Sequence, residues 1–108
     1  MKLILKNGKT LELQEADYEK SVNLNVALSL CQNISGGWRL PTIEEFDTIY
    51  NELHKNGQGN FMEESYWAAI TVNIPCSFNF KVGLPHTGYH MIGRYLQFEF
   101  KVRLVRDL

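Results

Sequence analysis

Residues 38–53 read Trp-Arg-Leu-Pro-Thr-Ile-Glu-Glu-Phe-Asp-Thr-Ile-Tyr-Asn-Glu-Leu, and this stretch decides the fold. Thr42 and Glu45 form a capping-box pattern, in which the hydroxyl and the carboxylate each satisfy a free backbone N–H at the start of a helix. Asn56-Gly57 and Gly59-Asn60 end the helical segment. The apolar residues between these signals recur at helical spacing and predict one buried stripe: Ile43, Phe46, Ile49, Tyr50 and Leu53.

Another helix is predicted immediately upstream, from Leu24 to Ile34. Its apolar residues cover more than half of the helical circumference, which favours burial on several sides. Asn23 is suited to cap its first turn and Gly36-Gly37 to end it. Nearer the N-terminus, Asn7-Gly8 separates two short apolar runs and predicts a β-hairpin.

Downstream of Phe61 the apolar pattern becomes that of β-strands. Residues 66–72 are apolar on both faces, as expected of a central strand that is covered on both sides. Residues 76–82 and 96–104 alternate, which predicts two strands with one buried face each. Because helices and strands are segregated along the chain, the pattern indicates an α+β fold with a mainly antiparallel sheet.

Length and composition describe one ordinary globular domain, residues 1–108. Apolar residues make up 44% and charged residues 21%, which is not the balance of a disordered chain. The formal net charge of −1 gives no global field for nucleic acid or an anionic membrane, so neither is expected as a partner. Lys101, Arg103 and Arg106 form a local basic group, which their strand spacing assigns to a solvated strand face.

No apolar run has the length of a signal-peptide core or of a transmembrane helix, so the chain as given is expected in the cytoplasm. In that reducing compartment Cys31 and Cys76 are expected to be free thiols. Their positions in a helical and a strand pattern suit small core hydrophobes.

The segment Trp38-Arg39-Leu40-Pro41-Thr42 resembles a motif of a bacterial family of unknown function, that of the Lcl C-terminal domain. The resemblance covers about Val26 to Arg106, and it implies a C-type-lectin-like fold. In that fold two helices pack on small antiparallel β-sheets, the termini lie close together, and a long loop region carries the variable surface. The segment is preceded by Ala27–Cys31 and Gly36-Gly37, and three further landmarks follow the family's order: Glu45-Phe46, Tyr66-Trp67-Ala68-Ala69, and Val102-Arg103-Leu104-Val105-Arg106.

Departures from related proteins limit what the resemblance implies about activity. Leu104 stands where the family's closing motif often has cysteine, which removes the usual partner of a cysteine in the first helix. The Glu-Pro-Asn, Gln-Pro-Asp and Trp-Asn-Asp triplets of calcium-dependent lectins do not occur in the chain, so calcium-dependent sugar binding is not expected. Formylglycine-generating enzymes have a similar Trp-Arg-Leu-Pro-Thr segment but use a cysteine pair with copper, and neither Cys31 nor Cys76 can be placed on that pair.

The residues of the shared motifs are expected to be structural: Trp38, Arg39, Pro41, Thr42, Trp67 and Arg106. Arg39 could form an anion site, but a strut between the second helix and the sheet is favoured, because a partly buried guanidinium needs a carboxylate or carbonyl partners. Trp38 and Trp67 could stack on sugars, but core packing with the indole N–H bonded internally is favoured.

A zinc site could be drawn from Cys76, His86 and His90. However, Pro85 and Gly88 indicate a loop, on which histidines four apart do not converge as they would on a helix, and no fourth ligand stands out. No metal and no cofactor are therefore expected.

The loop region 83–95 is the remaining candidate for function, with His86, Tyr89, His90, Arg94 and Tyr95 as its site residues. Aromatic and arginine side chains are enriched in binding hot spots, and loops on a rigid scaffold often bind ligands. This favours a non-catalytic binding module that recognises a protein or a glycan without calcium. The alternative is an ordinary surface loop whose aromatic residues fold back on the core.

Two other functions stay open at this point. The protein could be an oligomeric structural component of a larger assembly, or an enzyme of unrecognised type related in fold to the formylglycine-generating enzymes. The chain contains the residue types for nucleophilic catalysis, but no segment brings a nucleophile, a base and an orienting acid together.

Overall fold

The computed structural model describes residues 1–71, 74–87 and 97–108. The predicted α+β class is confirmed: two helices accompany two small antiparallel sheets. The first sheet has the order β1 (Lys2–Ile4), β2 (Thr10–Leu13), β6 (Val105–Asp107), and the second has the order β3 (Ser65–Thr71), β4 (Ile74–Asn79), β5 (Leu84–Thr87). The helices are α1 (Leu24–Asn33) and α2 (Ile43–Glu52), and a short 3₁₀ helix follows at His54–Asn56.

Helix α2 begins with the predicted capping box. The Thr42 Oγ1 accepts a hydrogen bond from the Glu45 N–H at 3.1 Å, and the Glu45 Oε1 accepts one from the Thr42 N–H at 2.8 Å. The predicted apolar stripe faces the core, where Phe46 and Ile49 are fully buried among the rings of the second sheet. The local sequence therefore fixes both the start of this helix and the face that it buries.

Helix α1 is capped as predicted but is less buried than the sequence predicts. The Asn23 Oδ1 accepts a hydrogen bond from the Val26 N–H at 3.0 Å. Burial on several sides was the wrong expectation, because Leu24 and Ala27 are buried whereas Val26 and Ile34 are exposed. The helix packs through one face on a smaller core cluster around Trp67, and the apolar residues on its other face are left accessible among the described residues.

The N-terminal hairpin is confirmed, with Leu3 opposite Leu11. Its turn is closed by hydrogen bonds from the Gly8 N–H to the Leu5 carbonyl at 2.9 Å and from the Leu5 N–H to the Lys9 carbonyl at 2.7 Å. Only Gly8 of the Asn7-Gly8 pair has a positive φ, at 86°. This matches a three-residue hairpin loop that ends with glycine in the left-handed region, rather than a two-residue turn.

The strands of the second half differ from the expected one-sided alternation. In β4 the run Pro75–Phe78 is buried without interruption, and the strand ends at Asn79, so Val82 is exposed beyond it. The run Val102–Val105 is likewise buried throughout, and the strand there begins only at Val105. Both runs are covered on two sides, a situation in which side-chain alternation no longer reports the buried face.

Strand β3 is covered on both faces as predicted, because Tyr66, Trp67 and Ala68 are all fully buried. Tyr66 joins the core cluster of α2 and Trp67 that of α1. The central strand of the described sheet is nevertheless β4, and β3 lies at the edge, with a further parallel bridge from Tyr66 to Lys101.

The Trp38–Thr42 segment connects the two sheets. The Arg39 N–H and carbonyl exchange hydrogen bonds with Val105 at 2.8 and 2.9 Å, which extends the first sheet. The carbonyl of the buried Pro41 accepts a hydrogen bond from the Ala69 N–H of β3 at 2.7 Å. Because Thr42 then caps α2, five residues join both sheets to the start of a helix.

Candidate binding site

A cleft of about 590 Å³ opens between the hairpin turn, the first turns of α2, and strands β4 and β5. Its apolar surface comes from Leu5, Ile43, Phe78 and Pro85. Its charged lining comes from the hairpin, through Lys6 and Lys9, and from α2, through Glu44, Glu45 and Asp47. Clefts of this size with mixed apolar and polar linings are typical of ligand sites.

An ion-pair network of four charged groups adjoins the cleft and includes two of its lining residues, Lys9 and Glu45. Arg39 forms a bidentate pair with Glu45, with nitrogen–oxygen distances of 2.7 and 2.8 Å, and its Nη2 lies 2.9 Å from Asp107 Oδ1. Lys9 binds the same Asp107 oxygen at 2.7 Å. Arg39 thus joins α2 to β6, which is the strut that the sequence favoured over an anion site.

The network keeps its carboxylates ionised. The Arg39 and Lys9 hydrogen bonds lower the pKa of Asp107 to about 2. Burial opposes ionisation of Glu45, but hydrogen bonds from Arg39 and from the Thr42 N–H outweigh it and hold the pKa below its ordinary value. The ionised Glu45 therefore both pairs with Arg39 and accepts the capping hydrogen bond at the start of α2.

The depressed pKa of Asp107 predicts a loss of stability in acid. The ionised form stabilises the fold above the ordinary pKa of 3.8, and this contribution disappears as the pH falls from about 4 through about 2. Chemical denaturation at pH values from 5 to 2 should show a shallower loss in Asp107→Asn than in the wild type. Asp47→Asn, at an exposed carboxylate of α2, is the control and should keep the wild-type slope; equal slopes in all three proteins would contradict the assignment.

Arg103 is the main structural residue that the sequence did not reveal. It was assigned to a solvated strand face, but it is fully buried. Its Nε donates to Asp17 Oδ1 at 2.8 Å, its other nitrogens donate to the carbonyls of Gln14, Gly59 and Asn60 at 2.7–3.1 Å, and its guanidinium lies 4.2 Å from the centroid of the Phe61 ring. Residues 102–105 are all buried, so a polar residue at strand spacing in this run does not have to face solvent.

Asp17 extends this buried network to the second sheet. Its Oδ2 accepts a hydrogen bond from the Tyr66 hydroxyl at 2.7 Å, and that hydroxyl accepts one from the Met62 N–H at 2.9 Å. Burial and the Asp17 carboxylate raise the pKa of Tyr66. Asp17, Arg103 and Tyr66 thus link the segment before α1, the segment before β6, and β3. None of these three residues lines the cleft.

The two tryptophans, Trp38 and Trp67, occupy different environments. Trp67 is fully buried and its Nε1 donates to the Val22 carbonyl at 2.7 Å, as predicted. Trp38 is partly buried and packs against the same core cluster as Trp67. The guanidinium of Arg106 covers its ring at 4.8 Å from the centroid, and Arg106 is held in turn by Glu12 at 2.7 Å.

The residues proposed for the loop region 83–95 are only partly within the described chain. His86 lies on β5, where the sequence predicted loop, and all four residues of Leu84–Thr87 are exposed. Pro85 brings this strand to the wall of the cleft. Tyr89, His90, Arg94 and Tyr95 lie outside the described residues.

The thiols and possible metal ligands do not form a reactive cluster in the described parts of the chain. Cys31 and Cys76 are free; Cys76 is buried and Cys31 is half-buried, and burial raises the pKa of the Cys31 thiol. Within residues 1–71, 74–87 and 97–108, no three His, Cys, Asp or Glu side chains lie close enough together to hold a metal ion.

None of the charged residues that line the cleft is predicted as a site residue from the sequence, because no signal in the sequence places the hairpin turn beside α2. No helix among the described residues has both the length and the apolar character needed to cross a membrane. No protein-family model matches the chain, and no curated protein matches it in sequence.

Proposed function

We propose that this protein is a non-catalytic binding module of the Lcl C-terminal-domain type, with a C-type-lectin-like fold, that recognises a protein or glycan without calcium. The recognition surface is the cleft between the hairpin turn and α2, together with the exposed strand β5. The observation that carries the proposal is the cleft itself, whose lining combines apolar side chains with charged ones.

The fold assignment rests on the two small antiparallel sheets and on the way the chain closes. Strand β2 pairs with β6, so the N- and C-terminal segments share one sheet. The Trp38–Thr42 segment binds the first sheet through Arg39 and the second through Pro41. This gives the motif that carries the family resemblance a structural role at the centre of the fold.

A binding role is favoured because the elements that carry the surface, the hairpin turn and α2, are held by internal hydrogen bonds. The hairpin turn is closed by backbone hydrogen bonds and α2 by its capping box, so little ordering is needed when a ligand binds. Val82 and Leu84, in the turn after β4 and at the start of β5, expose 57% and 61% of their surface. Glu45, the buried carboxylate of the cleft, is already bound to Arg39 and to the helix cap.

The proposal predicts that a bulky side chain in the cleft abolishes binding. The probes are a glycan array and a phage-displayed hexapeptide library, each applied with and without a calcium chelator. Thr48→Trp fills the cleft from an α2 position at little cost in helix propensity, because the two residues have similar values. Asn51→Trp places the same side chain at an exposed α2 position away from the cleft and serves as the control.

We expect a probe that binds the wild type and Asn51→Trp equally, with or without chelator, and that loses at least about tenfold in affinity with Thr48→Trp, equivalent to about 1.4 kcal/mol. Unchanged melting temperatures would show that both variants fold. Binding that survives Thr48→Trp would contradict the cleft as the recognition surface. If light scattering instead found that the wild type is a dimer and that Val82→Asp/Leu84→Asp is a monomer, the assembly role would replace the binding role.

A further inference from the structure

Resting on the proposed function, we infer that the ligand of the cleft is a peptide segment that carries a lysine or arginine side chain beside apolar residues. Glu44 and Asp47 are three residues apart on α2, so their side chains lie on neighbouring positions of one helix face. Among the described residues neither carboxylate forms an ion pair.

The opposite wall of the cleft supplies less charge. Lys9 is neutralised by Asp107 at 2.7 Å, whereas Lys6 has no ion-pair partner among the described residues. Glu45 is neutralised by Arg39. Among the described residues, the cleft charges without an ion-pair partner are therefore two carboxylates on the helix and one ammonium on the hairpin, which favours a cationic group beside the helix.

The apolar part of the cleft lining indicates the rest of the ligand. Leu5, Ile43 and Pro85 contribute aliphatic side chains to it. Sugar recognition commonly uses an accessible aromatic face, and Phe78, the aromatic residue among those lining the cleft, is fully buried. An extended peptide matches this arrangement, with its apolar side chains against these aliphatic residues and a basic side chain at Glu44 and Asp47.

The test selects hexapeptides from the phage library on the wild-type protein at low salt and measures their affinities as acetylated, amidated synthetic peptides. The variants are the neutral pair Glu44→Gln/Asp47→Asn and the reversed pair Glu44→Lys/Asp47→Lys. The control is Glu19→Lys/Glu52→Lys, which makes the same change in net charge at exposed positions outside the cleft lining. Circular dichroism melting verifies that every variant is folded at the measuring temperature, since acidic residues near the start of α2 also favour the helix dipole.

We expect selected peptides enriched in lysine or arginine next to apolar residues. Their affinity should fall several-fold in the neutral pair and on the order of tenfold or more in the reversed pair, and the reductions should shrink at 1 M salt, where the screening length is only about 3 Å. Glu19→Lys/Glu52→Lys should bind like the wild type. The inference is overturned if the selected peptides lack basic residues, or if the cleft reversal weakens binding no more than the control reversal.

The Thr48→Trp variant separates this inference from the proposed function. Peptides without basic residues, or glycans, that bind the wild type and fail on Thr48→Trp would overturn the basic-peptide assignment and leave the cleft as the recognition surface. Probes that bind Thr48→Trp as well as the wild type would overturn both.

Discussion

Replacing Arg103 with alanine is expected to lower the free energy of unfolding by about 3–5 kcal/mol, the range seen when one member of a buried ion pair is removed. The guanidinium is fully buried and satisfies one carboxylate and three carbonyls. Without it, Asp17 keeps a charge in a largely enclosed position and the carbonyls lose their donors. Denaturant titration followed by circular dichroism measures the effect.

A double-mutant cycle isolates the pair from general damage to the core. Arg103→Met retains much of the side-chain volume, and Asp17→Asn removes the opposing charge. We expect the double variant to be more stable than the sum of the two single losses implies, because it leaves no unpaired buried charge. Lys20→Ala, at an exposed position, should change stability by no more than about 0.5 kcal/mol. Additive losses in the cycle would contradict the pairing.

Replacing Phe80 with alanine is expected to cost about 3–5 kcal/mol, as do other large-to-small changes of buried aromatic residues. Phe80 follows β4 in a turn, yet it is fully buried. It stacks on Phe61 at a centroid distance of 4.5 Å, and five further rings lie within 6 Å of it: Phe46, Tyr50, His54, Tyr66 and Phe78. It is therefore the ring that joins α2, the 3₁₀ helix and the second sheet.

The size of the cavity should set the size of this effect. Phe80→Leu keeps most of the apolar volume and should cost only about 1–2 kcal/mol, at about 0.8 kcal/mol for each methylene equivalent lost. Val82→Ala, two residues later and exposed, should be nearly neutral. Thermal and denaturant unfolding of the three variants measures the order of stability. A loss in Phe80→Ala as small as that in Val82→Ala would contradict the central position of this ring.

Local signals predicted the parts of the fold that local interactions build. The capping box located the start of α2 because Thr42 and Glu45 satisfy each other's backbone within one turn. Asn7-Gly8 located the hairpin for a similar reason, since the turn needs only one glycine with positive φ. The strand boundaries near residues 79–84 and 102–105 differ from the predicted ones. Strand β4 ends at Asn79 and a turn follows it, whereas Val102–Val105 are all buried, so alternation marks neither boundary.

The candidate site depends on distant contacts and was therefore less predictable. Proline in a strand pattern indicates an edge strand or a loop, so Pro85 favoured a loop where the structure has β5. The cleft brings together Lys6, Glu44 and Pro85, which are far apart in the chain. Its geometry follows from the docking of the hairpin beside α2, and nothing in the local pattern of either element encodes that arrangement.

The most direct test of the binding role is a two-dimensional ¹⁵N–¹H NMR titration of the labelled protein with the tightest hexapeptide or glycan from the screen. The proposed function predicts that the largest amide shifts occur at residues 5–9 and 42–48 and at Phe78, with small shifts at the pocket between residues 14–18 and α1. Shifts confined to that second pocket or to α1, with residues 5–9 and 42–48 unchanged at saturation, would contradict recognition through the cleft.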